Sequence, residues 1–551
     1  MTWVQAYDPL NGIVMSALVA AIPLFALLYM LGIQRSRGHY AAAAGLSLTL
    51  FLAIAVWRMP VELAVSATLN GALFGLFPIV WIVVPTIWLY SMIVESGEFE
   101  IIKNSLASIT DDRRLQALLI AFAFGAFIEG AAGFGTPVAI TSAMLVGLGF
   151  NPVYAAGICL IANVAPVAFG AIGIPIVVAA QLTSLDMMTI SKIVGRQIPV
   201  LSLLTPLWIV VTMCGWRRAM EVLPAVLVTG GTFAAAQFFT SNYLNPFLPD
   251  IIAAVTTIIS LLIFLKVWRP KRIWRFRDEK YVLNSRVELL YSQSEIIRAW
   301  TPYFILILLV FLWADDRVFG LKKALESMDA LLPFHYISWP YLDGLVIKTM
   351  PVVGENTPFA AKFTFNILSA TGTSIFLAGV LSAMIIPDYG FDRAFKCLLK
   401  TLYQLAYPIC TISMILALAY VTNYSGMSFT LGLAFTATGN FFPFFSPILG
   451  WLGVFLTGSD SSANALFSAM QKTTAEQIGV DPNLTVAANA SGGVTGKMIS
   501  PQSISVATAA AGIVGREGHI FRFTLGHSVV MCLIMAILVY LQAHVLKWML
   551  P

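Results

Sequence analysis

The sequence predicts an all-α polytopic membrane protein built from two structural repeats, on three observations. Apolar residues make up 59% of the 551 positions and charged residues 11%, against about 45–50% and about 25% in soluble chains. A surface so poor in charge is solvated by lipid and not by water, which excludes the three or four soluble domains that this length would otherwise suggest at about 150 residues each. Apolar runs near the ~20 residues needed to cross a bilayer recur from end to end, giving about 12–14 membrane elements. Polar, glycine-rich breaks interrupt those runs at comparable places in both halves, which predicts interrupted helices or re-entrant hairpins, with the two repeats inverted.

The elements follow in order. Runs at 13–33 and 40–57 are joined by a turn carrying Arg35 and Arg37. A run at 71–94 leads into a mixed-charge loop that ends in Asp111, Asp112, Arg113 and Arg114. Runs at 115–150 and 153–181 are broken by glycine and proline, whereas 198–214, 223–239 and 251–267 read as ordinary spans, closing a first membrane half at 1–267. The segment 268–298 crowds Arg269, Lys271, Arg272, Arg275, Arg277, Lys280 and Arg286 just behind Lys266. Lys and Arg gather in cytoplasmic loops, so this segment is expected inside, touching anionic lipid, and the Arg35/Arg37 turn with it, leaving the N-terminus outside. The net charge, 32 − 27 = +5, is accounted for by such loops and does not indicate nucleic acid.

The second half, 299–551, opens with a short span at 302–313. A more polar stretch, 315–362, is expected to hold short helical pieces at best. Spans at 367–386, 399–421, 429–442, 448–470, 484–511 and 523–550 complete the chain. Residues 1–12 carry neither a basic n-region nor a small-residue cleavage site, so the first run is expected to be a retained helix. The five cysteines, Cys159, Cys214, Cys397, Cys410 and Cys532, show no CxxC spacing and read as apolar packing residues.

An internal repeat singles out the breaks. Residues 163–175 read NVAPVAFGAIGIP and residues 489–501 read NASGGVTGKMISP. Both fit N-x6-G-x4-P, matching Asn163, Gly170 and Pro175 to Asn489, Gly496 and Pro501. Upstream lies a second break in each half, GAFIEGAAGFGTP at 125–137 and GVFLTGSDSSAN at 453–464. Gly130 precedes Asn163 by 33 positions and Gly458 precedes Asn489 by 31, as duplication would leave them.

Irregular backbone survives at membrane depth only where protein or water covers it. Each break leaves unpaired N–H groups and partial positive charge at the start of the next half-helix, and two such starts meeting mid-bilayer make an anion site without a metal. Pro137 suits an early helical position, and Ser459, Ser461, Ser462 and Asn464 suit helix capping. Glycines that merely permit close helix packing are the competing reading, but it leaves the Ser, Asn and charged residues of the breaks unexplained. Three charged residues lie inside apolar surroundings, where charge is costly and marks function: Glu129, Asp460 and Lys497. A desolvated carboxyl favours its protonated form, so Glu129 and Asp460 are candidate proton carriers. Lys497 is suited to a substrate carboxylate or to pairing with Asp460 or Glu129, and a purely structural pair is the alternative.

Enzyme chemistry finds no support. GVTGKM lacks the spacing and the Ser/Thr of a phosphate-binding loop, and GFG at 133–135 is not a dinucleotide fingerprint. The histidines His39, His335, His519, His527 and His544 form no ligand pair, so no metal and no cofactor are expected, and no GxSxG element is present.

The stretches EGAAGFGTPVAI, NVAPVAFGAIGIP, TNYSGM, GWLGVFLTGSDSSANALF and GGVTGKMISPQSI, with AYDP near the start, resemble those of the bacterial L-lactate permease family over essentially the whole chain. The resemblance implies a multi-pass protein of the bacterial inner membrane that imports L-lactate by proton symport, with D-lactate and glycolate as further substrates. It also implies kinship with transporters built on inverted repeats with re-entrant hairpins, many thought to move by an elevator motion. Some relatives have alanine where this chain has Thr136.

The resemblance assigns no side chain to the substrate; from the breaks themselves the substrate carboxylate is expected against the helix starts at Gly135/Thr136 and Ser461/Ser462, beside Ser459 and Lys497, with Asn163 or Asn489 bonding the 2-hydroxyl. One inward negative charge costs roughly 2.3 kcal/mol per 100 mV against an inside-negative potential, and one accompanying proton cancels that term. A sodium-coupled carboxylate transporter is the nearest rival, because unwound backbone and Ser/Asn oxygens also suit Na⁺. An integral-membrane enzyme is the rival from another class, and a passive channel is a further alternative.

Overall fold

The computed structural model describes residues 2–34, 36–133, 135–276, 289–314 and 320–551. Arg35, Arg277, Lys280 and Arg286, four of the basic residues used above, lie outside the described residues, as does Phe134 of the GFG element. Among the described residues, 11 helices are long and apolar enough to cross a membrane, or 12 if the bent pair Pro152–Ala162 and Val167–Thr183 counts as one span. The expected range of about 12–14 is reached only at its low end, and only with the bent pair counted. Apolar pieces such as Thr136–Gly147, with 12 residues, and Thr371–Ile385, with 15, look like spans in sequence but fall short of the ~20 residues a crossing takes.

Two ends of the molecule are distinguishable. Tyr336–Ser338 pairs antiparallel with Lys362–Thr364, and Val346–Lys348 lies between Trp3–Val4, parallel, and Thr357–Pro358, antiparallel. These strands correct the expectation of helical pieces at best across 315–362, where a helix, Leu321–Asp329, is also present. Strands of two or three residues are too short to show the period-2 alternation by which strands are recognised. The helix Gln293–Ala314 separates this strand face from residues 268–276 of the basic segment, which lie at the other end.

The first broken run begins with one of the most enclosed helices of the fold. Arg113–Ala131 is buried along its whole length, whereas only about a third of the residues of Ile13–Leu31, Gly38–Ala55 and Gln293–Trp313 are buried, as in lipid-facing helices. At the basic end, Arg114 holds three segments together. It donates to both oxygens of Asp112, to Glu221 Oε2 at 2.8 Å, and to the carbonyls of Arg218 and Arg272. Asp112 also accepts from Trp274 N at 3.0 Å. A fully buried guanidinium with every neighbour an acceptor is how such a charge is tolerated away from water.

Candidate functional site

Four helix starts are built by the breaks. Gly135, at φ +83°, precedes Thr136–Gly147, whose early proline lacks an amide to lose. Ser459 caps Asp460–Ile478 by accepting from Ser462 N at 3.3 Å. Ser500 caps Pro501–Ala510 by accepting from Ser503 N at 3.1 Å. In the first broken helix, Ala171, Ile172 and Gly173 all take left-handed angles, at φ 47°, 55° and 71°. Regular helix therefore resumes only after Gly173. These starts converge on one cavity.

The cavity has a volume of about 60 Å³, above the ~10–15 Å³ a single water needs. Its wall includes Gly135, Gly170, Ala171, Pro175, Gly458, Ser459, Ser461, Gln502 and Ser503 from the four starts, together with Glu129, Asp460 and Lys497. Each helix start contributes amides without intrahelical partners and a positive dipole end. Lys497 Nζ donates to Glu129 Oε1 at 2.7 Å, and Asn163 Nδ2 donates to Glu129 Oε2 at 3.0 Å. The approach depends on Gly170, because a Cβ there would stand 2.7 Å from Glu129 Oε1.

Asp460 is buried, and neither of its carboxyl oxygens has a hydrogen-bond partner. It packs against Gly493, where any side chain would collide with Oδ1. A carboxyl group so enclosed is stabilised only by a proton or by an arriving cation. A further acid, Asp250, was not singled out from the sequence. It accepts from Gln237 Nε2 at 3.2 Å through Oδ1, while Oδ2 has no partner. Its Cβ sits 2.9 Å from the position a Gly130 Cβ would take, directly beside Glu129. Three buried carboxyl groups thus share the neighbourhood of one ammonium.

The residues expected at the site separate into three groups. Glu129, Gly135, Ser459, Asp460, Ser461 and Lys497 line the cavity. Ser462 lines the adjoining vestibule, and its amide is already taken by Ser459. Thr136, Asn163 and Asn489 are absent from the cavity wall. The Thr136 amide donates to Gly133 O at 3.1 Å, and Asn163 reaches the site only through Glu129.

Asn489 lies inside the continuous helix Pro482–Lys497, eight residues ahead of the break. Its amide group donates to Asn464 Oδ1 and accepts from Gln471 Nε2, both at 2.8 Å. Helices that fill one another's polar groups in this way lose no free donors to a ligand. Gln502 and Ser503 belong to the quoted ISPQSI stretch, where Ser-Pro is a cap-and-first-turn signal. Asp250 gave no comparable signal, since an acid in a first helical turn reads as a dipole partner.

A wider vestibule of about 680 Å³ adjoins the cavity. Ser459 and Gln502 line both. Its outer part includes Arg37, Gly38 and His39, with His39 stacked 4.6 Å from Tyr407. The other end of the helix Gly38–Ala55 packs with Leu342 and Val346 of the strand face through Ala53. The vestibule therefore opens away from the strand face.

Comparison with known proteins gives the following matches. A family model described as L-lactate permease matches residues 16–546. The glycolate permease GlcA of Escherichia coli (strain K12) is 50% identical over 560 residues, covering 100% of both chains. An L-lactate permease of the same strain is 48% identical over 555 residues, again with 100% of both covered. Among solved structures, MtrF of Neisseria gonorrhoeae aligns over 87% of this chain and 84% of its own, at 13% identity and a TM-score of 0.47.

Proposed function

The chain belongs to the L-lactate permease family, and from that premise we propose that it imports L-lactate, with D-lactate and glycolate as further substrates, by proton symport across the bacterial inner membrane. Its relatives are permeases and not enzymes, and its helices make it a multi-pass membrane protein. The observation that carries the coupling is the buried Lys497–Glu129 pair at the convergence of helix starts.

The cycle follows from charge. Lys497 is held by Glu129 while the site is empty. An entering carboxylate competes with Glu129 for the same ammonium and gains the amides at Gly135, Asp460 and Ser461. Once Lys497 turns to the substrate, Glu129 is a buried carboxylate without its cation. Such a group is costly in a low dielectric, and one proton removes the cost. The site then holds substrate and proton together with the same net charge as when empty, so the loaded form crosses the membrane field with no added electrical work. Asp460, without a partner of its own, is the second proton-carrying group.

The arrangement of the two breaks supports inverted repeats with re-entrant hairpins, one built from Arg113–Ala131 and Thr136–Gly147 and the other from Phe442–Thr457 and Asp460–Ile478. The basic segment then faces the cytoplasm, and the vestibule beside Arg37 is the inward exit.

A sodium-coupled cycle is the second reading, favoured by the unpartnered oxygens of Asp460 beside Ser459 and Ser461. Labelled-lactate uptake into proteoliposomes, with pH and sodium gradients imposed separately, decides between them. Accumulation with an inward proton gradient in sodium-free medium supports the proton cycle. Accumulation that needs sodium at constant pH refutes it, and equilibration without accumulation under either gradient indicates a passive channel.

A further inference from the structure

Outside the transport site, a wide opening lies on the basic face. It offers about 870 Å³ to water-sized molecules, within the range of small-molecule sites, and shares no wall with the central cavity. Three parts of the chain line it. Phe150 and Asn151 come from the turn before the helix Pro152–Ala162, and Tyr154 from its first turn. Trp216, Arg217 and Arg218 follow the end of the span Met187–Cys214, and Trp274 and Phe276 come from the basic segment.

Charge on this wall is unbalanced. Arg217 and Arg218 are exposed and make no ion pair among the described residues, because the acids beside them, Asp112 and Glu221, are taken by Arg114. The aromatic part is placed where a bilayer ends: Trp216 is 61% exposed immediately after a span, the position at which tryptophan marks the membrane–water boundary. Paired guanidinium groups recognise phosphate, and a wall of Trp and Phe beside them fits the glycerol and upper acyl region of a lipid.

We propose that this cavity binds the phosphate of an anionic phospholipid, with Arg217 and Arg218 on the headgroup and Trp216, Trp274 and Phe276 against the backbone of the lipid. A lipid seated there bridges the base of the first hairpin and the helices behind it. Lipid composition therefore sets the rate of transport without touching the substrate site. This holds for any substrate the chain carries.

The test uses the full chain in vesicles of phosphatidylcholine alone and in vesicles also containing phosphatidylglycerol, with inorganic phosphate as the soluble probe. The expected result is faster lactate exchange with phosphatidylglycerol, lost in Arg217→Gln/Arg218→Gln, while exchange in phosphatidylcholine stays at the unaltered rate. Quenching of tryptophan fluorescence by short-chain brominated phosphatidylglycerol should weaken about tenfold or more in the double variant, in line with two lost cation–headgroup contacts. Lys266→Gln/Arg269→Gln, which removes the same charge from the same face outside the cavity, should keep both responses. Equal loss in that control, or an unchanged response in the arginine variant, overturns the proposal. Displacement of the lipid by millimolar inorganic phosphate overturns it too, since the occupant is then free phosphate.

Discussion

Lys497 Nζ and Glu129 Oε1 lie 2.7 Å apart across 368 positions of sequence, each side chain almost wholly buried. The contact joins the helix before the second break to the helix before the first, so it links the two halves of the chain at their least regular points. Removing one member of a buried pair strands the other and costs about 3–5 kcal/mol. Replacing both with uncharged groups of similar size leaves no stranded charge.

The first prediction follows directly. Lys497→Met should melt well below the unaltered protein in detergent and show no lactate uptake. The double variant Glu129→Gln/Lys497→Met should recover most of the lost melting temperature and still not transport. A double variant no more stable than Lys497→Met would show that the pair is not the source of the penalty.

Asp460 has the opposite signature. Because neither oxygen has a partner, Asp460→Asn removes no hydrogen bond and should lower the melting temperature far less than Lys497→Met does. Accumulation driven by a proton gradient should be lost while the protein remains folded. Full proton-driven accumulation by this variant would remove Asp460 from the coupling.

Gly130 tests the closeness of the third acid. A Cβ there would stand 2.9 Å from both Asp250 Cβ and Ile251 Cγ1 and 3.1 Å from Ile251 N. Such overpacking typically costs about 1–3 kcal/mol, and here it would also displace the neighbouring Glu129. Gly130→Ala should lower the melting temperature and reduce uptake. An alanine variant with unaltered uptake would mean that the hairpin can shift away from Asp250 without disturbing Glu129.

Lys348, on the strand face, supplies a pH dependence. Its ammonium lies 3.7 Å from the centre of the Phe359 ring. Burial, with the nearby Lys472 charge adding to it and Glu476 opposing, lowers its pKa to about 8. A lysine whose folded pKa lies below its unfolded value binds its proton less well when folded, so stability rises with pH across that window. The penalty is complete below about 8 and fades toward the unfolded value near ~10.4. Lys348→Met should therefore melt higher than the unaltered protein at neutral pH, less a contribution of about 0.5–1 kcal/mol from the lost ring contact. The gap should close as pH rises through 8, and a gap independent of pH would contradict the assignment.

How far the sequence reaches is clearest at the breaks. Gly135, Ser459, Asp460 and Lys497 were legible because a charge or a glycine cluster inside an apolar run has few structural uses. Asn489 misled, since Asn163, its counterpart in the shared sequence pattern, stands at the end of Pro152–Ala162 whereas Asn489 stands mid-helix. The difference lies in where each helix unwinds, which a shared N-x6-G-x4-P pattern does not determine. Asp250 was invisible for a tertiary reason: only the folded chain brings the start of Pro249–Val267 against Gly130. The short strands of the strand face were equally out of reach, because their pairing joins Trp3–Val4 to Val346–Lys348 across more than 340 residues.

Access to the site can be read chemically. Ser505 lines the vestibule with Gln502 and Arg37, and Gln502 continues into the cavity that holds Lys497. In a background with Cys410, exposed, and Cys214, half-buried, replaced by serine, Ser505→Cys should react with a membrane-impermeant thiol reagent applied from the side of the basic segment. It should not react from the strand face, where the vestibule does not open. Saturating lactate should slow the reaction, because a filled site stabilises the conformations that hold it and shifts the chain away from the open form in proportion to its preference for them. Labelling from the strand face alone would place the vestibule on the opposite side of the membrane and reverse the direction of exit, while labelling indifferent to lactate would detach the vestibule from the transport path.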